Sequence, residues 1–197
     1  MIAFLKGRLV HKEPTQVIID VNGVGYQVAI SLFTYGEIKD QENILLFTHL
    51  AIREDAHVLF GFSGELEKRL FQQLISVNGV GPSTAIVMLS YMSSNELKTA
   101  ILKEDAAALQ SIKGIGGKTA QRVIIDLRDK LKKESWEESQ PAISLGGHNT
   151  IRKEALSALL TLGLSKPVAE KSVDAALKKS GNTMTLEELV KQALKNA

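Results

Sequence analysis

The sequence predicts an α+β multidomain protein: an N-terminal OB-like β-barrel, a central all-α domain of tandem helix-hairpin-helix units, and a C-terminal three-helix bundle. Three observations carry this. Residues 1–62 alternate apolar and polar side chains with period 2. From Gly64 the period becomes 3.6. Two glycine hairpins, Val77-Asn78-Gly79-Val80-Gly81 and Ile112-Lys113-Gly114-Ile115-Gly116, then recur 35 residues apart.

In the first segment, Val17, Ile19 and Val21 alternate with Ile18 and Asp20, and Asn22-Gly23 marks a type I′ turn. Tyr26, Val28 and Ile30 form the return strand. Ile44, Leu46, Thr48, Leu50 and Ile52 share one face of a long strand, and Val58, Phe60 and Phe62 complete the set. About five short strands separated by Gly-containing turns predict a small closed barrel over residues 1–63. Such barrels bind nucleic acid through aromatic platforms, which are sparse here, so the composition suits a scaffold and a reader alike. Arg53-Glu54-Asp55-Ala56 puts adjacent acids at a hairpin tip. Asp is an ordinary turn residue, so a solvated turn is the plain reading. Facing DNA, the same tip would repel phosphates.

Residues 64–134 are predicted to be helical. Leu66, Leu70, Phe71, Leu74 and Ile75 form a stripe that ends at the first hairpin, and Pro82 starts the next helix, through Ala85, Met88 and Leu89. Glu96 to Lys103 form a connecting helix, and Ala107 to Ile112 lead into the second hairpin. Beyond it, Ala120, Val123, Ile124, Leu127 and Leu131 mark a helix whose solvent face carries Lys118, Arg122 and Arg128. In each hairpin, glycine allows positive φ and leaves N–H groups bare at the mouth of the following helix. That mouth attracts a phosphate through its free donors and the positive end of the macrodipole. Val80 and Ile115 are expected to turn back between the helices. The predicted DNA-binding set is Gly79, Val80, Gly81, Pro82, Ser83, Lys113, Gly114, Ile115, Gly116, Gly117, Lys118, Thr119 and Arg122.

Residues 135–149 lose periodicity, contain Pro141 and Gly146-Gly147, and read as a linker. Trp136, the one tryptophan, has no assigned role there. Residues 150–197 are expected to form three short helices: Ile151 to Leu162, closed by Gly163; one opened by Ser165 and Pro167; and one opened by the capping box Thr185-Leu186-Glu187-Glu188. Such a module beyond a tether suits docking on another protein. Leu159, Leu162 and Leu164 are the contacts expected of it.

Composition narrows the class. There are no cysteines, which excludes a disulfide framework and thiolate metal sites, and the four histidines lack metal-ligand spacing. No cofactor or metal is expected. No apolar run reaches membrane-spanning length and the N-terminus opens on a strand-like run, so a soluble cytoplasmic protein is expected. Net charge is only +2, but residues 1–62 carry −2 and residues 63–134 carry +3. Seven basic residues against Asp126 and Asp129 lie between Lys113 and Lys133, beside the second hairpin.

Together, the order of parts and several motifs resemble the RuvA family of bacterial Holliday-junction-binding proteins. The motifs are Asn22-Gly23-Val24-Gly25-Tyr26, Thr48-His49, Arg53-Glu54-Asp55-Ala56, Gly61-Phe62 and Asn78-Gly79-Val80-Gly81-Pro82. They continue with Gly114-Ile115-Gly116 before Lys118-Thr119-Ala120, and Glu154-Ala155-Leu156 through Leu162-Gly163. The resemblance implies binding of four-way junction DNA by a homotetramer, or an octamer on DNA, that holds the junction open in a square. It implies that Glu54 and Asp55 form a central acidic pin. It also implies that the C-terminal module recruits a RuvB-type AAA+ ATPase motor, with a RuvC-type resolvase as a further partner. The chain departs from the family pattern at Ser83, where the family often has Lys, and at Lys113 and Gly117.

Other functions fit these residues less well. Gly117-Lys118-Thr119 resembles the end of a phosphate loop, but position 112 is Ile where Gly is required, and the lead-in is helical. No carboxylate cluster or activated nucleophile points to a nuclease or glycosylase; Asp126 and Asp129 beside Arg128 read as ion-pair partners. A general single-strand binder or repair scaffold using the barrel is the remaining alternative.

Overall fold

The computed structural model describes residues 1–39, 41–54, 56–133, 147–180 and 184–196. It separates into two compact units, Met1–Glu137 and Glu138–Ala197. Among the described residues no helix is long and apolar enough to cross a membrane.

The first unit opens with strands β1 (Phe4–Glu13), β2 (Gln16–Val21) and β3 (Val24–Ile30), helix α1 (Leu32–Ile38), and strands β4 (Asn43–Ile52) and β5 (His57–Phe62). The strands close into a barrel in the order β1-β2-β3-β5-β4, with β3 and β5 parallel and the other pairs antiparallel. Asn22 and Gly23 both have positive φ (52° and 86°), as the predicted type I′ turn requires, and Asp20 accepts from Gly23 N–H at 2.7 Å. Val17, Ile19, Val28, Ile30, Ile44 and Leu46 fill the barrel.

Two features differ from expectation. Helix α1 has no counterpart in the sequence pattern. It is seven residues long and buries little beyond Thr34 and Ile38, too short a stripe to stand out as a period. Strand β5 also faces the other way. Leu59 joins the barrel core, whereas Phe60 and Phe62 point out of it and meet Phe71, at ring-centroid distances of 5.1 and 4.9 Å. Gly61 takes the inward place between them. A Cβ there would stand 2.5 Å from Val28 Cγ1, so only glycine lets this part of the barrel close. Alternation revealed the strand, but not which face the larger core would claim.

Those phenylalanines seat the barrel on helices α2 (Glu65–Ile75), α3 (Pro82–Tyr91), α4 (Ser94–Leu102), α5 (Ala106–Gln110) and α6 (Gly117–Lys133). The expected stripes are the ones buried: Leu70, Phe71 and Leu74 on α2; Ala85, Met88 and Leu89 on α3; Ala120, Val123, Ile124, Leu127 and Leu131 on α6. His49 of β4 lies edge-on to Phe71 at 5.4 Å. The seam also buries one carboxylate. Glu67 of α2 accepts from the Ser31 hydroxyl and, at 2.7 Å, from that of Thr34, whose oxygen accepts from Ser63 N–H. Arg128 is not a free cation on the solvent face. It pairs with Glu104 and, at 3.4 Å, with Asp129.

In the second unit, α7 (Gly147–Thr161), α8 (Lys166–Ser180) and α9 (Leu186–Lys195) enclose Ala155, Leu159, Ala169, Val173, Ala176, Leu189 and Ala193. Helix α7 ends in a Schellman motif. Gly163 has φ 95°, its N–H bonds Leu160 O at 3.0 Å, and Leu164 N–H bonds Leu159 O at 3.1 Å. The Thr185–Glu188 capping box forms as expected. Of the predicted linker, residues 147–149 begin α7, and the remainder, with Trp136, lies outside the described residues.

Candidate nucleic-acid interface

The two hairpins share one local geometry. Gly79 and Gly114 have φ 94° and 90°, which forces glycine there. Val80 N–H bonds Val77 O, and Ile115 N–H bonds Ile112 O, both at 3.0 Å. The side chains of Val77, Val80, Ile112 and Ile115 are all buried. Val80 and Ile115 thus lock the helices as expected, and from the predicted binding set they offer only main chain.

The second glycine of each hairpin does a different job from the one expected. Gly81 caps α3 at φ −85°, and Gly116 likewise lies outside the positive-φ region. What these positions need is an uncovered amide. A Cβ on Gly116 would meet nothing within 4 Å, so no internal clash excludes a side chain there. Among the described residues the N–H groups of Gly79, Gly81, Gly114 and Gly116 meet no internal acceptor. Helices α3 and α6 begin beside them, so their first amides and positive dipole ends join the same surface.

Side chains then charge this surface. Lys113 and Lys118 are exposed around the second hairpin, with Thr119 and Gly117 half-buried beside them. Ser83 is exposed and Pro82 half-buried at the first. Arg122 reaches back from α6, and its Nη1 donates to Asn78 O in the first hairpin at 3.4 Å. Arg53, which sequence reasoning passed over, comes from the barrel. Its Nη2 stands 3.9 Å from a Cβ built on Gly81, and it lines a hollow with Pro82 and Ser83. Only the folded proximity of β4 to α3 reveals it, although its place beside the acidic tip offered a hint.

That tip is closed by Arg53 N–H donating to Ala56 O at 2.9 Å, with Glu54 exposed. Asp55 lies outside the described residues. In the second unit, Leu162 is 59% exposed and Leu164 half-buried, but Leu159 is 0% exposed. Leu159 is a core residue and offers no surface to a partner, which corrects its expected role. Among the described residues no group of three His, Cys, Asp or Glu side chains is disposed to hold a metal ion.

Family models match three stretches of the chain. Residues 1–61 match the family described as RuvA N terminal domain, residues 71–129 the SAM-like helix-hairpin-helix tandem, and residues 150–197 the RuvA C-terminal domain. The chain is 52% identical over 198 residues to a protein of Cytophaga hutchinsonii, covering 99% of each. It is 47% identical to one of Christiangramia forsetii, covering 99% of each, and 39% identical to one of Pseudomonas putida, covering 99% of this chain and 98% of that one. All three carry the name Holliday junction branch migration complex subunit RuvA.

Proposed function

The chain belongs to the RuvA family, and on that premise we propose that it is the junction-binding subunit of a branch migration complex. It grips four-way DNA through main-chain amides, without reading base sequence, and presents the junction to a motor on another chain. The observation that carries this is the duplicated hairpin, with its paired positive φ at Gly79 and Gly114 and its open amides beside Lys113 and Lys118. A surface of N–H groups, helix N-termini and cations binds phosphates, and phosphate contacts position DNA without specifying it.

In this reading the protein is a homotetramer, assembling as an octamer where two tetramers enclose the DNA. Four copies of Glu54-Asp55 gather at the centre as an acidic pin that holds the strands apart. The C-terminal unit recruits a RuvB-type AAA+ ATPase, with a RuvC-type resolvase engaging the same junction. The subunit itself is non-catalytic: Gly117-Lys118-Thr119 opens α6 after a helix and a hairpin, where a nucleotide-binding phosphate loop follows a strand. Location in the cytoplasm follows from that partnership.

The test is a gel-shift comparison of four-way junction, duplex and single strand at fixed salt, paired with a mass measurement of the free protein. Tightest binding to the junction by a four-chain species is expected. Single strand bound as tightly as junction would overturn the reading in favour of a barrel-based single-strand binder.

A further inference from the structure

The two hairpins are alike in backbone and unlike in charge. At the 35-residue spacing, Lys113 and Lys118 of the second correspond to Asn78 and Ser83 of the first. A phosphate seated on either would carry the same charge, yet the first hairpin brings no cation of its own at either position. The fold places two there from other elements: Arg122, whose Nη1 is taken up by Asn78 O at 3.4 Å, and Arg53. Arg53, at the end of the barrel strands, has Nη2 3.9 Å from a Cβ built on Gly81 and shares a hollow with Pro82 and Ser83. Its side chain is exposed, and among the described residues it enters no ion pair.

We propose that Arg53 is the phosphate-binding cation of the first hairpin, filling from the barrel the role that Lys118 fills within the second. This rests on the hairpin reading of the proposed function. The guanidinium suits it, because its fork reaches both non-bridging oxygens of one backbone phosphate in charge-assisted bonds, and either oxygen keeps a lone pair for the amide of Gly81. There is a consequence for specificity. Arg53 directly precedes Glu54, so one short turn both holds a phosphate at the hairpin and carries the acid that repels the next. The gripped phosphate and the acidic tip are then kept within the reach of two adjacent side chains, which registers the DNA arm against the junction centre.

The full chain is titrated with an immobile four-way junction over a range of salt. Arg53→Gln is expected to weaken binding about tenfold and to reduce the salt slope by about 0.9 per subunit engaged. Arg53→Lys is expected to keep the slope and recover part of the affinity. The loss should persist when Glu54→Gln is the background. Unchanged affinity and slope in Arg53→Gln would overturn the proposal. So would a loss that vanishes in the Glu54→Gln background, since Arg53 would then only neutralise its neighbour. Gly116→Val separates this from the wider reading: if it weakens binding while Arg53→Gln does not, only the role of Arg53 falls, and if it too is silent, the hairpin reading falls.

Discussion

Arg122 donates from Nη1 to the main-chain oxygen of Asn78 at 3.4 Å, so a side chain on the helix after the second hairpin closes on the backbone of the first. The bond is long, and its contribution belongs at the low end of about 0.5–1.5 kcal/mol. Its value lies in position. A bare carbonyl beside the proposed phosphate site would repel the phosphate, and Arg122 covers that oxygen while tying α6 to the first hairpin. Arg122→Lys keeps the charge and loses the fork. Junction affinity is expected to fall several-fold with the salt slope nearly unchanged, whereas Arg122→Ala loses both. Salt-dependent titrations of the three proteins check this, and equal affinity for Arg122→Lys and wild type would count against the tie.

The glycines of one hairpin should separate into two kinds. Gly116 has room for a side chain and a φ outside the positive region, so Gly116→Val is expected to fold with stability within about 0.5 kcal/mol of wild type. Its bulk covers the amide, and junction binding should drop about tenfold or more. Gly114 has φ 90°, where a β-branched residue costs at least about 1–2 kcal/mol, so Gly114→Val should lose stability as well as binding. Urea unfolding beside gel shifts separates the two, and Gly116→Val with normal binding would count against the amide surface.

Burial pushes the Glu67 carboxyl above the ordinary glutamate range, outweighing the hydrogen bonds from Ser31 and Thr34 that favour its charged form. A folded-state value above the unfolded one means that the folded chain binds the proton better. Glu67 therefore contributes stability below about pH 4.3 and loses it as pH rises through the folded value. Glu67→Gln keeps an acceptor for Thr34 and removes the buried charge. It is expected to exceed wild type in stability at neutral pH, with the gap closing toward about pH 4.3. Denaturant midpoints at several pH values measure this, and a gap that widens in acid would show that the charge is favourable.

What was legible in the sequence, and what was not, follows from the range of the forces involved. Helix stripes and hairpins are local: Leu70, Phe71 and Leu74 announce their face by spacing, and Gly79 and Gly114 announce theirs by backbone need. The side chosen by Phe60 and Phe62 is tertiary, because two cores compete for one strand and the helical core wins them. Arg53 and the Arg122–Asn78 contact are likewise invisible to spacing, since each joins elements brought together only by folding. Helix α1 sits between these cases. Ser31 caps it as a local signal, but seven residues give no period.

Two leucines near the end of α7 should behave in opposite ways. Leu159 is fully buried among Ala155, Val173 and Leu189, so Leu159→Ala is expected to cost the C-terminal unit about 2–5 kcal/mol. Leu162→Ala removes an exposed side chain and should leave stability unchanged while weakening stimulation of the motor. Deleting residues 150–197 should abolish that stimulation and spare junction binding. Thermal melts and branch-migration assays with the motor check each, and a truncated chain that still drives migration would assign the unit another purpose.

The acidic tip should set selectivity at the expense of affinity. Glu54 is exposed beside Arg53, in the turn closed by the bond from Arg53 N–H to Ala56 O, and Asp55 follows it in sequence. A carboxylate and a phosphate at 4 Å repel by about 1 kcal/mol in bulk water and about 4 kcal/mol at an effective dielectric of 20. In the proposed tetramer, four copies of the tip about one axis would multiply that penalty where duplex would cross the centre. A junction has an open centre and escapes most of it. Neutralising both acids, Glu54→Gln with Asp55→Asn, is therefore expected to raise duplex affinity more than junction affinity, and to disturb motor-driven migration because strands are no longer held apart. The relevant measurement is the ratio of duplex to junction affinity at matched salt. An equal ratio for wild type and the double variant would mean that the tip is only a solvated turn, and that the amides of the hairpins select the junction without it.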